Sequence, residues 1–339
     1  MPIVEVRLRI VSRLSGTASP RMKESLVHFL LSCQNADGSW GYTQGARGSL
    51  EPTAYAVMSL HDTEGAQMVA AKGLNFIKSS QNNSGGWPVN TTDGEATAWV
   101  SALAGLALLA SEQSTAAVQA AEQFLLRSFG KTRKPWVLRI ADWMQSLDPA
   151  WVDKNYGGWS WNPDTARWVE PTSYALLFLK QLQNSNPAHG GEASRQAPSA
   201  ILEAERLLCD RICQEGGWNY GNARVLGEEL RPFPLTTAVA LMALQDRPEL
   251  GEVQTSLNYL ENAVKAEKSA LTISLACLCF DIFARESSPV LKGLQDLYAR
   301  TRFFGNVKTT ATALLALRSA EGWKPFRVAR DSDPLQRLV

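Results

Sequence analysis

The chain repeats the segment Thr53-Ala-Tyr-Ala-Val-Met-Ser-Leu60, and this repeat decides the fold. Three clear copies read Thr172-Ser-Tyr-Ala-Leu-Leu-Phe-Leu179, Thr237-Ala-Val-Ala-Leu-Met-Ala-Leu244 and Thr310-Ala-Thr-Ala-Leu-Leu-Ala-Leu317. Weaker copies begin at Thr97 and Thr272. The copies contain almost no charged residues, which is typical of helices that are buried on most of their circumference. The sequence therefore predicts six inner helices.

A more polar, amphipathic segment precedes each inner helix and predicts an outer helix. These segments span approximately 20–34, 67–81, 115–129, 198–214, 250–266 and 286–302. Because a two-helix unit cannot cover its own apolar face, successive units must stack, and six of them can close into a ring. We expect an all-α fold, an α/α barrel or toroid, over residues 20–324. An N-terminal extension would then occupy 1–19 and a C-terminal tail 325–339.

The composition is that of a globular protein and argues against one large functional class. Of the 339 residues, 45% are hydrophobic, and 34 basic against 33 acidic residues leave a formal charge of +1. A general nucleic-acid binder needs a basic surface that displaces counterions, and no dense run of Lys and Arg occurs. We therefore expect no nucleic-acid partner.

The cysteines and the apolar runs indicate in which cellular compartment the protein resides. The cysteines lie in or beside apolar segments without CxxC spacing, so we expect free core thiols at Cys33, Cys209, Cys213, Cys277 and Cys279. Residues 1–14 lack the continuous apolar segment of a secretion signal, and the longest apolar run, 98–110, is too short to span a bilayer. These patterns predict a cytoplasmic protein without a transmembrane segment.

The junction between an outer and an inner helix carries its own pattern. It reads Lys72-Gly73-Leu-Asn-Phe-Ile-Lys-Ser-Ser-Gln81-Asn-Asn-Ser-Gly85-Gly-Trp87. The large ring of Trp87 can pack over the adjacent outer helix and hold two units together. Partial copies of the pattern lie at Phe29 to Trp40, at Gly157-Gly158-Trp159 and at Gln214 to Trp218.

This junction resembles the QW motif of squalene-hopene and oxidosqualene cyclases. The resemblance extends over about residues 20–320 and includes the barrels of protein prenyltransferase β subunits, whose inner helices also follow Pro-Thr. It implies the same α/α barrel. It does not fix the chemistry, because related toroids also serve as thioester and interaction domains.

One connection resembles the acidic motif of protonation-initiated, or class II, terpene cyclases. The segment Asp93-Gly-Glu95-Ala-Thr97-Ala aligns with Asp-x-Asp-Asp-Thr-Ala of that family. The resemblance implies that Glu95 is the catalytic acid and Asp93 its partner. The alternative is that Glu95 only stabilises a helix start, because Glu51 and Glu170 precede Thr53 and Thr172 at the same spacing.

Arginines and aromatic residues complete the candidate site. Arg47, Arg167 and Arg224 shortly precede Glu51, Glu170 and Glu228, so they either form a collar for an anionic head group or pair with neighbouring carboxylates. Aromatic residues either line an isoprenoid cavity or serve packing, and six tryptophans fall between 136 and 168. The expected substrate-binding residues are Arg47, Glu51, Trp99, Trp161, Asp164, Arg167, Trp168, Glu170, Tyr220 and Arg224.

Several motifs are missing, and their absence narrows the chemistry. No adjacent Asp pair for magnesium, no zinc-ligand set and no glycine-rich phosphate loop occurs, so we expect neither a metal nor a cofactor. The resemblance then implies a metal-independent class II terpene cyclase-like enzyme acting on an isoprenoid-like substrate. A homodimer or a partner protein that closes the mouth is a further expectation, as is peripheral membrane association. The alternative function is a non-catalytic toroid that binds a ligand, peptide or protein at its mouth.

Overall fold

The structure is a computed structural model and describes residues 18–90, 94–112, 116–130, 156–163, 165–185, 192–225 and 227–328. Twelve α-helices lie in these ranges and alternate between two layers. The inner helices are α2 (Leu50–Leu60), α4 (Ala98–Ala110), α6 (Val169–Ser185), α8 (Pro234–Ala243), α10 (Ala270–Ile282) and α12 (Val307–Ala320). The outer helices are α1 (Ala18–Ser32), α3 (Gln67–Ser79), α5 (Ala116–Ser128), α7 (Glu192–Asp210), α9 (Gly251–Ala263) and α11 (Ser288–Thr301).

The inner helices form a closed ring. Each packs against the next one along the chain, and α12 returns to pack against α2. Each outer helix covers the inner helix that precedes it, while α1 covers α12. The only regular strands in the described ranges are β1 (Arg224–Val225) and β2 (Glu228–Glu229), a small antiparallel hairpin before α8. The predicted all-α toroid of six helical hairpins is confirmed.

The inner helices and the junction tryptophans form the core of the ring. The inner helices are buried along nearly their whole length, and four tryptophans are at most 1% exposed: Trp40, Trp87, Trp159 and Trp218. All five cysteines are free, as expected from the sequence. Four of them are buried, whereas Cys209 is partly exposed.

Tryptophan side chains join the layers at four junctions. Each indole N–H donates to a backbone carbonyl of an outer helix, at Leu30, Ile77, Leu125 and Leu208, over 2.6–2.9 Å. Gln81 reaches further, because its amide donates to the carbonyls of Gly85 and Ala117 at 2.8 Å each. These bonds tie a junction to its own outer helix and to the next one, as the junction pattern predicted. The assignment of the junctions to the QW motif stays a prediction.

The structure corrects the register of the second repeat. In α2, α6 and α8 the fourth helical residue is a threonine whose hydroxyl accepts the backbone N–H of the junction tryptophan: Thr53, Thr172 and Thr237. In α4 that place belongs to Ser101, which accepts from Trp87 at 2.8 Å. Thr97 instead immediately precedes the helix, where Ser49 stands before α2. The two hydroxyl residues lie four positions apart, and the sequence comparison aligned the wrong one.

A glycine in α3 makes room for one of the tryptophans. A methyl group on Gly73 would lie 2.7 Å from the Trp40 ring and 2.6 Å from the Val57 side chain. Overpacking costs about 1–3 kcal/mol, against a gain of up to about 1 kcal/mol from the helix preference of Ala. We therefore expect Gly73→Ala to lower the free energy of unfolding in urea.

Gly293 provides the matched control, because it lies within helix α11 and a methyl group there meets open space. Gly293→Ala should leave the free energy of unfolding unchanged or raise it by up to about 1 kcal/mol. If both variants gained stability, Trp40 would not be packed against α3 as described.

Candidate active site

Residues at the second position of the inner helices surround one mouth of the ring. All inner helices point the same way, so their N-terminal ends meet at this mouth. The second positions hold Glu51, Trp99, Glu170, Leu235, Leu271 and Lys308. Three of these six side chains are ionisable, and Glu51 and Glu170 are only 6% and 8% exposed. We call Glu51, Glu170 and Lys308 the mouth triad.

Glu51 is held by an ion pair across the seam of the ring. Lys308 Nζ lies 2.6 Å from Glu51 Oε1, and the Tyr42 hydroxyl donates to Glu51 Oε2. The backbone carbonyl of Tyr42 accepts the N–H of Val307 at 2.8 Å, so the loop before α2 is fixed on the start of α12. Burial opposes the charge of Lys308, but the combined effects of Glu51, Tyr55 and Glu170 raise the pKa of Lys308.

Glu170 sits in a different environment. Burial raises its pKa, against the opposing effects of the Lys308 charge and of a hydrogen bond from Thr236. That bond runs from the Thr236 hydroxyl to Glu170 Oε1 over 3.1 Å. Glu170 therefore keeps its proton to a higher pH than an exposed glutamate, whereas the neighbouring Glu51 is ion-paired.

Two tyrosines form the floor beneath the triad. Tyr55 and Tyr174 lie one helical turn beyond Glu51 and Glu170, and their hydroxyl oxygens are 3.1 Å apart. Burial raises the pKa of Tyr55 to about 12 and that of Tyr174 well above its ordinary value, so both stay neutral. Lys308 Nζ lies 5.8 Å from the centroid of the Tyr55 ring. Both phenols are nearly inaccessible, which makes the mouth shallow along the axis of the ring.

The raised pKa of Glu170 makes a prediction about stability. Because the folded chain binds this proton more tightly than the unfolded chain does, stability falls as the pH rises above the ordinary glutamate value of about 4.3. Gln cannot ionise, so Glu170→Gln should lose less stability than the parent between about pH 5 and pH 8. Urea denaturation across this range measures the difference, with the exposed Glu249→Gln as control. A constant difference between parent and Glu170→Gln would contradict the assignment.

Glu95 lines a cavity whose lining residues do not include the mouth triad. Glu95 is exposed and stands two residues before Thr97, where Arg47 stands before Ser49. This cavity of about 560 Å³ lies between two junctions and the C-terminal end of α5, where Phe124 and Arg127 also line it. Asp93 and Asp164 lie outside the described residues, as do three of the six tryptophans between 136 and 168, namely Trp136, Trp143 and Trp151. The roles predicted for Glu95 and Asp93 are not tested by this placement.

The three arginines predicted to form a collar have different surroundings, and the collar itself stays a prediction. Arg47 is exposed, and Arg224 donates to Glu229 across the β1–β2 hairpin. Arg167 donates to the backbone carbonyl of Tyr156. Lys308 is a cation that pairs with Glu51 and whose charge acts on Glu170. The sequence analysis did not include this lysine among the candidate site residues. A signal for it exists in the sequence, since Lys308 precedes Thr310 by the two positions that separate Glu51 from Thr53.

Several predicted aromatic residues do line the mouth face. Trp99 and Trp161 pack edge to face with ring centroids 5.1 Å apart. Tyr220 packs on Phe233 with centroids 4.9 Å apart, and its carbonyl accepts the N–H of Val169, the first residue of α6. The Trp168 ring lies against Gly221, which follows Tyr220 in the loop before β1. Trp99 is the second residue of α4, as Glu51 is of α2 and Glu170 is of α6. The sequence analysis did not show this equivalence, because it aligned Thr97 with Thr53 and Thr172.

Comparisons with known proteins show the fold. No protein-family model and no curated protein sequence matches this chain. The type II terpene cyclase MstE of Scytonema has a TM-score of 0.54 and 13% identity over 90% of this chain and 99% of its own. MstE has also been solved with geranylgeranyl dihydroxybenzoate, described as its substrate.

Other structures of this fold belong to enzymes that act on sugars. An α-1,6-mannanase of Salegentibacter has a TM-score of 0.55 and 10% identity, over 90% of this chain and 99% of its own. A novel α-amylase of Clostridium perfringens has a TM-score of 0.60 and 11% identity, over 91% of this chain and 99% of its own. At such identities the likeness extends to the fold and not to the reaction.

Two properties of the described residues concern membranes and metals. None of the helices there is both long enough and apolar enough to cross a bilayer. In the same ranges, no group of three or more His, Cys, Asp or Glu side chains is arranged to hold a metal ion.

Proposed function

We propose that the chain is an enzyme that starts a reaction of an apolar, isoprenoid-like substrate by protonation, with Glu170 as the acid. The observation that carries this proposal is the state of Glu170, a buried carboxyl group with a raised pKa at the mouth of the ring. Protonation of an alkene or an epoxide requires a neutral acid that faces apolar surroundings. Glu170 meets this requirement better than Glu95, which is exposed.

The environments of the two buried glutamates suggest their roles. Burial raises the pKa of Glu170, whereas Glu51 is ion-paired with Lys308, and two carboxyl groups in such different surroundings are typical of acid–base sites. Glu170 delivers its proton to a substrate carbon or epoxide oxygen, and the Lys308 charge stabilises the carboxylate that this step leaves. The resulting cation loses a proton to solvent, or it gains water and the added water then loses a proton to solvent, and solvent at the mouth reprotonates Glu170.

Apolar side chains around the mouth support an apolar substrate. Most large hydrophobic residues that the described chain exposes lie in the loops before inner helices: Tyr42, Tyr220, Val225, Leu230, Phe233 and Phe303. Trp99, at the second position of α4, packs on Trp161, and such aromatic faces attract carbocations. The type II terpene cyclase with the same fold is consistent with this substrate class.

The second candidate function is binding without catalysis. It is favoured by the filled axis of the ring, where Tyr55, Tyr174 and Phe326 are each at most 2% exposed. A shallow, charged mouth suits a ligand or a partner segment that stays at the surface. A deep cavity for a folded polyene would need these side chains to move.

A substrate panel separates the two functions. Purified protein is incubated with polyprenyl alcohols, diphosphates, epoxides and a geranylgeranyl-substituted aromatic acid, in chelator and without added metal, and products are resolved by mass spectrometry. α-1,6-Mannotriose and xylo-oligosaccharides in the same panel test hydrolysis. Metal-independent cyclised or hydrated products support protonation of an isoprenoid. Binding of a prenyl compound without turnover supports the second function, and sugar release would replace the proposed substrate class.

A further inference from the structure

The C-terminal segment 323–328 crosses the end of the ring that is opposite to the triad. It follows Gly322, whose φ of +101° reverses the chain after α12. Pro325, Phe326 and Val328 are buried, although these residues lie beyond the last helix. The predicted tail thus begins with a segment that packs into the barrel.

Side-chain amides of the inner ring bind the backbone of this segment. The amide of Gln245, just after α8, donates to the Phe326 carbonyl at 2.8 Å and its oxygen accepts the Val328 N–H at 2.9 Å. From α6, Gln181 donates to the Pro325 carbonyl and Asn184 to the Val328 carbonyl, each at 2.7 Å. These bonds hold the backbone of a turn, because within the segment the N–H of Arg327 donates to the carbonyl of Lys324 at 3.0 Å.

Two aromatic side chains anchor the segment. Phe326 is 1% exposed and enters the ring, where its centroid lies 6.1 Å from that of Tyr55. Trp323 stacks on His61 with centroids 4.6 Å apart and donates its indole N–H to the Met58 carbonyl at 2.9 Å. Because Tyr55 also forms the floor of the mouth, occupancy of this end positions a side chain of the candidate active site.

We propose that this end of the ring is a binding site for a short turn-forming peptide with an aromatic anchor, occupied here by the chain's own residues 323–328. The inference does not depend on the chemistry at the mouth. A peptide ligand of this class carries a buried phenyl ring at the Phe326 position and offers backbone carbonyls to Gln181, Asn184 and Gln245. A free peptide of this kind should replace the segment once the covalent link to it is opened.

The test uses the full chain with a protease recognition sequence inserted after Gly322, where the turn is exposed. The folded protein is cut, and a fluorescein-labelled peptide of residues 323–328 is added while anisotropy is followed. We expect the cut protein to bind the peptide and the uncut protein not to bind it. A peptide with Phe326→Ala should bind at least about 100-fold more weakly, because loss of a buried phenyl ring removes most of the anchor.

A second variant covers the case in which the cut protein loses its fold. In the uncut chain with Phe326→Ala the internal segment packs less tightly against the ring. The labelled native peptide should therefore displace it and bind. The uncut chain with Phe303→Ala, which changes an exposed phenylalanine, should not bind the peptide. Equal binding of the native and Phe326→Ala peptides, or no binding to either the cut chain or the Phe326→Ala chain, would overturn the proposal.

Discussion

Replacing Glu170 by Gln is expected to lower the turnover of any prenyl compound that the parent protein converts by at least about 100-fold. Gln keeps the size of the side chain and can still accept the Thr236 hydrogen bond, but it has no proton to give. Loss of a positioned general acid costs about 100- to 10,000-fold in rate. The kcat measured under substrate saturation should carry most of this loss, because the variant preserves the shape of the mouth.

Glu95→Gln is the matched control for this experiment. If Glu170 is the acid, replacement of the exposed Glu95 should change the rate little. Full activity in Glu170→Gln together with loss in Glu95→Gln would restore the role that the sequence motif implies for Glu95. Circular dichroism and the urea midpoint exclude unfolding as the cause of a loss.

The architecture was predictable because it follows from a repeat. Copies of one apolar segment in phase with amphipathic segments require the same packing six times, and the ring follows from that requirement. The register of one copy was less predictable, because Thr97 and Ser101 both offer a hydroxyl group near the start of α4. Only the hydrogen bond from Trp87 to Ser101 distinguishes them.

The candidate site was predictable only in part, because its chemistry depends on contacts between distant repeats. Glu51 and Glu170 stood out in the sequence through their Pro-Thr neighbours, but Lys308 has Thr309 where they have proline. The raised pKa of Glu170 arises first from burial, which a local motif does not encode. The segment 323–328 carries no repeat at all, and its place depends on amides of Gln181 and Gln245 that are far away in sequence.

Lys308→Met is expected to destabilise the fold more than any other single change of the mouth triad. The variant leaves the carboxylate of Glu51 buried, with the Tyr42 hydroxyl as its remaining described partner. Removal of one partner of a buried ion pair costs about 3–5 kcal/mol, because the other charge stays uncompensated. Urea denaturation at neutral pH should show this loss. The Lys292→Met control breaks an exposed pair with Asp296 in α11 and should cost less than about 1 kcal/mol.

The double variant Glu51→Gln with Lys308→Met tests whether the loss comes from the buried charge. Gln still accepts the Tyr42 hydrogen bond and needs no cation, so stability should return to within about 1 kcal/mol of the parent. If the double variant were as unstable as Lys308→Met, lost packing of the lysine chain against Tyr55 would be the cause. If stability recovered and activity did not, Lys308 would have a second role besides its ion pair with Glu51. Its charge also lowers the pKa of Glu170.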